Sequence, residues 1–108
     1  MGGYMVINVQ IQDRSAQISM SGRFDFEVHR NFKNAYLSLI DNAAVREIGI
    51  EMSKVDYLDS AALGMLMLLN ERAKEARKQV TLLNASGVAL QVMEVANFSK
   101  IFNIKNSP

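Results

Sequence analysis

Ile48-Gly49-Ile50-Glu51-Met52-Ser53-Lys54-Val55-Asp56-Tyr57-Leu58-Asp59-Ser60-Ala61-Ala62-Leu63-Gly64-Met65-Leu66-Met67-Leu68-Leu69 decides the fold. Ile48 to Met52 places apolar residues at alternate positions, which predicts a short strand. Ser53 to Leu58 reads as a loop. Asp59 and Ser60 then stand directly before an apolar run at helical spacing. Both are strong N-cap residues, because their side-chain oxygens accept backbone N–H groups that have no partner inside the helix. A helix is predicted from about Ala61 to Lys78, with a hydroxyl at its mouth and at the end of a strand. A phosphate group there would meet free N–H groups and the positive end of the helix dipole. Gly64, inside the helix, costs roughly 1 kcal/mol against alanine. A close approach of neighbouring backbone is the expected reason for it.

On the N-terminal side, Met5 to Gln12 alternates, with Ile7, Val9 and Ile11 on one face and Asn8 and Gln10 on the other. That pattern predicts a half-exposed strand. Asp13-Arg14-Ser15 reads as a turn and Ala16 to Ser21 alternates again, so the two segments form a hairpin ending at Gly22. Val28, Phe32, Ala35, Tyr36, Leu39 and Ile40 recur at helical spacing up to Asn42. On the C-terminal side, Val80 to Asn84 predicts a buried strand. Val88 to Ala96 predicts a third helix with Ser86 as candidate cap, and Phe98 to Ile104 a last helical turn or strand. Residues 1–4 and 105–108 are expected to be flexible ends. The order β-β-α-β-α-β-α predicts an α/β sandwich with a mixed sheet.

The 108 residues suffice for one domain, and a hydrophobic fraction of 49% is ample for its core. Twelve basic and eleven acidic residues leave a net charge of +1. That balance makes no electrostatic case for binding nucleic acid or an anionic membrane. Arg72, Lys74, Arg77 and Lys78 interleave with Glu71 and Glu75, which predicts a solvated helix face with ion pairs. The chain has no cysteine, which removes disulfides, thiol catalysis and cysteine metal sites. Its apolar runs are too short to span a membrane, and Met1-Gly2-Gly3-Tyr4 lacks a signal-peptide layout. A soluble, cytoplasmic protein is expected.

The single histidine, His29, reads as a surface residue rather than a metal ligand. Glycine-rich phosphate loops and a nucleophile elbow are both missing, so neither catalysis nor a cofactor is expected. Met65 and Met67 belong to a helix whose apolar residues spread around more than one face. Core filling explains a methionine there, and an exposed strip beside Ser60 would make a partner surface. Asp25 reads as a helix cap, with a place beside Ser60 on the same edge of the sheet as the functional alternative. Ser60 likewise has a purely structural use as a cap.

Leu58-Asp59-Ser60-Ala61-Ala62-Leu63-Gly64 resembles the D-S-S/T-G-L-G signature of STAS-domain proteins, specifically the anti-sigma factor antagonists. Gly22-Arg23-Phe24-Asp25 resembles the upstream G-E-L-D element of that family. Val80 to Ser86, followed by Val88, Leu90 and Val92, resembles its fourth strand and following helix. The resemblance implies a single STAS domain over residues 1–108, with helices packed on a mixed sheet of four or five strands. It further implies a partner switch. The dephosphorylated antagonist binds an anti-sigma factor that is also a serine kinase of the histidine-kinase-like ATPase type, which frees the sigma factor. The kinase phosphorylates the serine after the aspartate, here Ser60, and a PP2C-type phosphatase reverses the step. Asp25 and Asp59 match positions near the acceptor, and Ala61, Ala62 and Met65 fall on the implied docking surface. Ala61 stands where the family has a second hydroxyl, leaving Ser60 as the only one in the motif. Ala62 replaces the usual glycine and would add a methyl group to the docking surface. The variant D-S-x-A-L-G with G-R-F-D-F resembles the proteobacterial branch. The alternative within the same resemblance is a STAS subunit of a lipid-transport ATPase complex, which works without phosphorylation.

Overall fold

The opening alternations pair as the predicted hairpin. In the computed structural model, which describes residues 5–106, β1 (Val6–Gln12) and β2 (Ser15–Phe24) run antiparallel, with Val6 opposite Ser21 and Gln12 opposite Ser15. A 3-10 turn (Phe26–Val28) leads into α1 (His29–Ile40), and the chain returns as β3 (Glu47–Leu58), parallel to β2. Then follow α2 (Ser60–Glu75), β4 (Gln79–Leu83), α3 (Gly87–Val95), a second 3-10 turn (Phe98–Lys100) and β5 (Asn103–Lys105). The sheet is mixed and five-stranded in the order β1-β2-β3-β4-β5, with every pair after the first parallel. The last segment is thus both of the expected alternatives, a helical turn and then a strand. Lys105, expected in the flexible end, closes β5 opposite Leu83. Residues 1–4, 107 and 108 of those ends lie outside the described residues.

Burial follows one parity of the strands. Ala16, Ile18 and Met20 of β2, Ile48, Ile50 and Met52 of β3, and Val80 and Leu82 of β4 are all buried. They are cross-strand neighbours, and the three helices pack over them. Gln17, Ser19, Glu51 and Thr81 stand on the other, open face at intermediate exposure. There Gly49 leaves room for Leu83, whose Cδ1 would lie 2.9 Å from an added Cβ. Phe24, Phe32 and Tyr36 form an aromatic ladder between β2 and α1, with centroids 5.0 and 5.4 Å apart. β1 is less buried than its alternation predicts, since Val9 and Ile11 remain 40% and 51% exposed.

β3 differs most from the sequence reading. The expected loop at Ser53–Leu58 continues the strand. Two bulges against β2, between Ser19 and Ser21 and between Gly22 and Arg23, each put one extra residue into β3. An extra residue reverses which side chains face inward, so the buried positions run Met52, Val55, Leu58. Gly22 adopts φ 107 at the second irregularity, a conformation open to glycine and strained for other residues.

Candidate functional site

Because β2 and β3 are parallel and Phe24 pairs with Leu58, the residues that follow them, Asp25 and Asp59, emerge on the same edge of the sheet. A backbone bond from the Asp59 N–H to the Phe24 carbonyl, 3.4 Å, ties the two exits together. Arg23 adds a second tie. Its guanidinium lies 3.9 Å from the centroid of the Tyr57 ring, and its Nε sits 3.6 Å from Asp25 Oδ2.

The head of α2 divides two roles between neighbours. Asp59 is the N-cap, its Oδ1 accepting from the Ala62 N–H at 2.8 Å, and its carbonyl accepts from the Leu63 N–H. Ser60 is the first helical residue and is exposed, so its hydroxyl does not serve as the cap. The N–H groups of Ser60 and Ala61 open the helix without an intrahelical acceptor. Asp25 caps the 3-10 turn before α1, its Oδ1 accepting from the Glu27 N–H at 3.0 Å. Its carboxylate therefore has a full structural occupation beside the Ser60 edge.

The outer surface of α2 below Ser60 is small and then apolar. Ala61 and Met65 are half-buried, Gly64 is exposed, and Met67 and Leu68 are 45% and 40% exposed. Ala62 does not belong to this surface. It is fully buried in the core, so the methyl that replaces the usual glycine packs inward and adds nothing to the exposed strip. Gly64 is likewise not a close-approach position, since a Cβ there would meet nothing within 4 Å. Beside the strip, Leu63, Val92, Val95 and Ala96 line an apolar groove of about 290 Å³ between α2 and α3.

Sequence reasoning missed Arg23, Tyr57 and Phe26 at this edge. Phe26 is 62% exposed and stacks on His29 with centroids 4.4 Å apart. An exposed phenylalanine directly after Asp25 carries no periodic signal that separates it from core. The solvated face predicted for Glu71, Arg72, Lys74, Glu75 and Arg77 is exposed, but without the expected ion pairs and without Lys78. Lys78 is buried, and among the described residues Arg23–Asp25 is the one ion pair. No group of three or more potential metal ligands occurs among the described residues. No helix among them is long and apolar enough to cross a membrane.

The family profile described as "Mlab, STAS domain" matches residues 7–104. The chain belongs to the STAS-domain family. A STAS-domain containing protein of Pseudomonas aeruginosa strain UCBPP-PA14 is 36% identical over 89 residues, covering 81% of this chain and 84% of the relative. Among solved structures, an anti-sigma factor antagonist from Mycobacterium paratuberculosis superposes with TM-score 0.83 at 19% identity, over 94% of this chain and 86% of that one. The phosphorylated form of SpoIIAA, a Bacillus cell fate determinant, superposes with TM-score 0.75 at 14% identity, over 95% of this chain and 92% of that one. At these identities the two structures share the fold of this STAS domain. Its Asp59-Ser60 pair lies where the central strand of that fold hands over to α2.

Proposed function

We propose that this STAS domain is a cytoplasmic anti-sigma factor antagonist whose binding is switched off by phosphorylation of Ser60. With Ser60 unmodified, the edge made by Asp25, Asp59, Ser60 and Ala61, continued by Met65, Gly64 and Met67, docks on an anti-sigma factor. That partner is also a serine kinase of the histidine-kinase-like ATPase type. It transfers the γ-phosphoryl group of ATP to the Ser60 Oγ, which gives up its proton, and ADP leaves. A PP2C-type phosphatase hydrolyses the ester. In this reading the chain is a substrate and a ligand, and it catalyses nothing itself.

The supporting observation is the division of labour at the head of α2. Asp59 holds the cap, so the exposed Ser60 hydroxyl can be modified without uncapping the helix. The phosphate brings about −1.5 to −2 charges to a position that a helix N-terminus tolerates. The fold survives, while the same group at a small-residue and apolar contact strip must be desolvated beside the Asp59 carboxylate. A loss of about 3 kcal/mol there weakens binding more than a hundredfold.

The test is capture of the cognate kinase by purified variants. Ser60→Ala binds regardless of ATP and Ser60→Asp binds at least ~100-fold more weakly. Equal binding by the two variants counts against the switch. Intact-mass analysis of the protein from its native cells, with the modified site mapped, is the companion measurement. An unmodified Ser60 together with co-purification of a transporter ATPase would favour the lipid-transport subunit instead.

A further inference from the structure

β1 is an open margin of the sheet. Among the described residues it pairs with β2 alone. Along its outer side, alternate residues turn backbone N–H and C=O groups to solvent, a template for another strand. Such edges are ordinarily guarded by a charge, a proline, a bulge or a covering segment. Met5 to Gln12 contains no charged residue and no proline. Its pairing with β2 is unbroken from Val6–Ser21 to Gln12–Ser15. Val6, Val9 and Ile11 are 52%, 40% and 51% exposed. The cleft between β1 and α1, about 400 Å³, is lined by Met5, Ile7, Val9, Asn31, Asn34 and Ala35, again without a charge. In a chain that is 21% charged, this neutral stretch is what a surface facing its own copy requires, since any charge near a two-fold axis meets its like.

We propose that β1 pairs antiparallel with β1 of a second copy of this chain, joining the two sheets across a two-fold axis at Val9. The register that uses the whole strand puts Val9 opposite Val9 and Ile7 opposite Ile11. Apolar residues then meet apolar residues along one face. On the other face Asn8 meets Gln10 and Val6 meets Gln12, so no charge opposes another anywhere in the pair. The contact is isologous and closes at two copies. Both helical layers lie on one side of the joined sheet, and the Neutral Asn31 and Asn34 flanks face each other over the axis. The two Ser60 edges point in opposite directions, leaving both accessible, so this dimer does not depend on the partner-switch reading.

Sedimentation velocity of the full chain over a concentration series tests it. The expected result is a concentration-dependent doubling of the 12.1 kDa monomer mass. Val9→Lys and Val9→Glu each lose the dimer, because like charges then oppose across the axis. An equimolar mixture of the two variants regains it, because Lys now faces Glu. Thermal melts of both variants stay close to wild type, since Val9 is 40% exposed. A wild-type chain that stays monomeric at every concentration overturns the proposal. So does a dimer that survives Val9→Lys, or a mixture that remains monomeric.

Discussion

At Gly64 the space that a side chain would fill is empty, and the residue is exposed in the body of α2. Nothing inside the domain calls for glycine, so Gly64→Ala should stabilise the fold by about 1 kcal/mol through helix propensity. Differential scanning calorimetry would show this as a rise in Tm. The same variant should weaken partner capture, because the added methyl falls on the strip below Ser60. A rise in Tm with unchanged capture would remove Gly64 from the contact surface. Lys78 is the opposite kind of residue. Its Nζ is buried and donates to the carbonyls of Asn42, at 2.7 Å, and Val45, pinning the turn after α1. Lys78→Met keeps the apolar stem and removes both bonds, which should cost about 2–3 kcal/mol. A urea midpoint equal to wild type would refute that role. Neither property was legible beforehand. A glycine in a helix and a lysine at a helix end have the same local signature whether the surroundings are open or closed.

Helix α2 shows what a sequence can and cannot say about an element. Asp59 and Ser60 are adjacent and both make good caps, so the sequence marks the helix start to within a residue without choosing between them. The choice follows from β3, whose last residue, Leu58, is fixed opposite Phe24. With the Asp59 N–H bonded to Phe24, the chain turns at Asp59 and Ser60 enters the helix. Asp59→Ala should therefore destabilise the domain by about 1 kcal/mol, measured by urea denaturation, whereas Ser60→Ala should fall within ~0.5 kcal/mol of wild type. Comparable losses from the two would mean that the hydroxyl shares the cap. β3 itself was half legible. Its first five residues alternate with period two, but its two bulges space the later buried residues at three. That spacing matches neither a strand nor a helix, and so it reads as a loop. The hairpin, the three helices and the order of elements along the chain were readable from period and cap residues, whereas the order of strands in the sheet has no periodic signature. The crowding of Ala62 was not readable either, because α2 has apolar residues on several faces and alanine suits any of them.

For the molecule as a whole, the two sheet faces carry different chemistry, and pH should report on both. On the open face, burial pushes the Glu51 carboxyl upward, but hydrogen bonds from Ser53 and Asn84 prevail and hold it below the usual glutamate range. Asn84 Nδ2 lies 2.8 Å from Glu51 Oε1 and the Ser53 N–H 3.0 Å from Oε2, so the carboxylate joins β3 to the end of β4. On the helical side, burial raises the Tyr36 hydroxyl, partly offset by Arg72. A carboxyl that is more acidic in the folded chain binds fewer protons there than in the unfolded chain, so stability rises with pH through that window. Its contribution is present above the unfolded value of about 4.3 and is lost as pH falls through the lower folded value. The tyrosine works in the other direction. Its contribution is complete below about pH 10 and is lost as pH rises through the raised folded value. The expected profile is a plateau with an acid shoulder from Glu51 and an alkaline shoulder from Tyr36. Urea midpoints measured against pH would resolve the two. Glu51→Gln should flatten the acid limb and lower the plateau, since the amide still accepts from Asn84 but one of the two bonds is lost. Tyr36→Phe should flatten the alkaline limb alone. An acid limb of the same slope in wild type and Glu51→Gln would place the titrating carboxyl elsewhere in the fold.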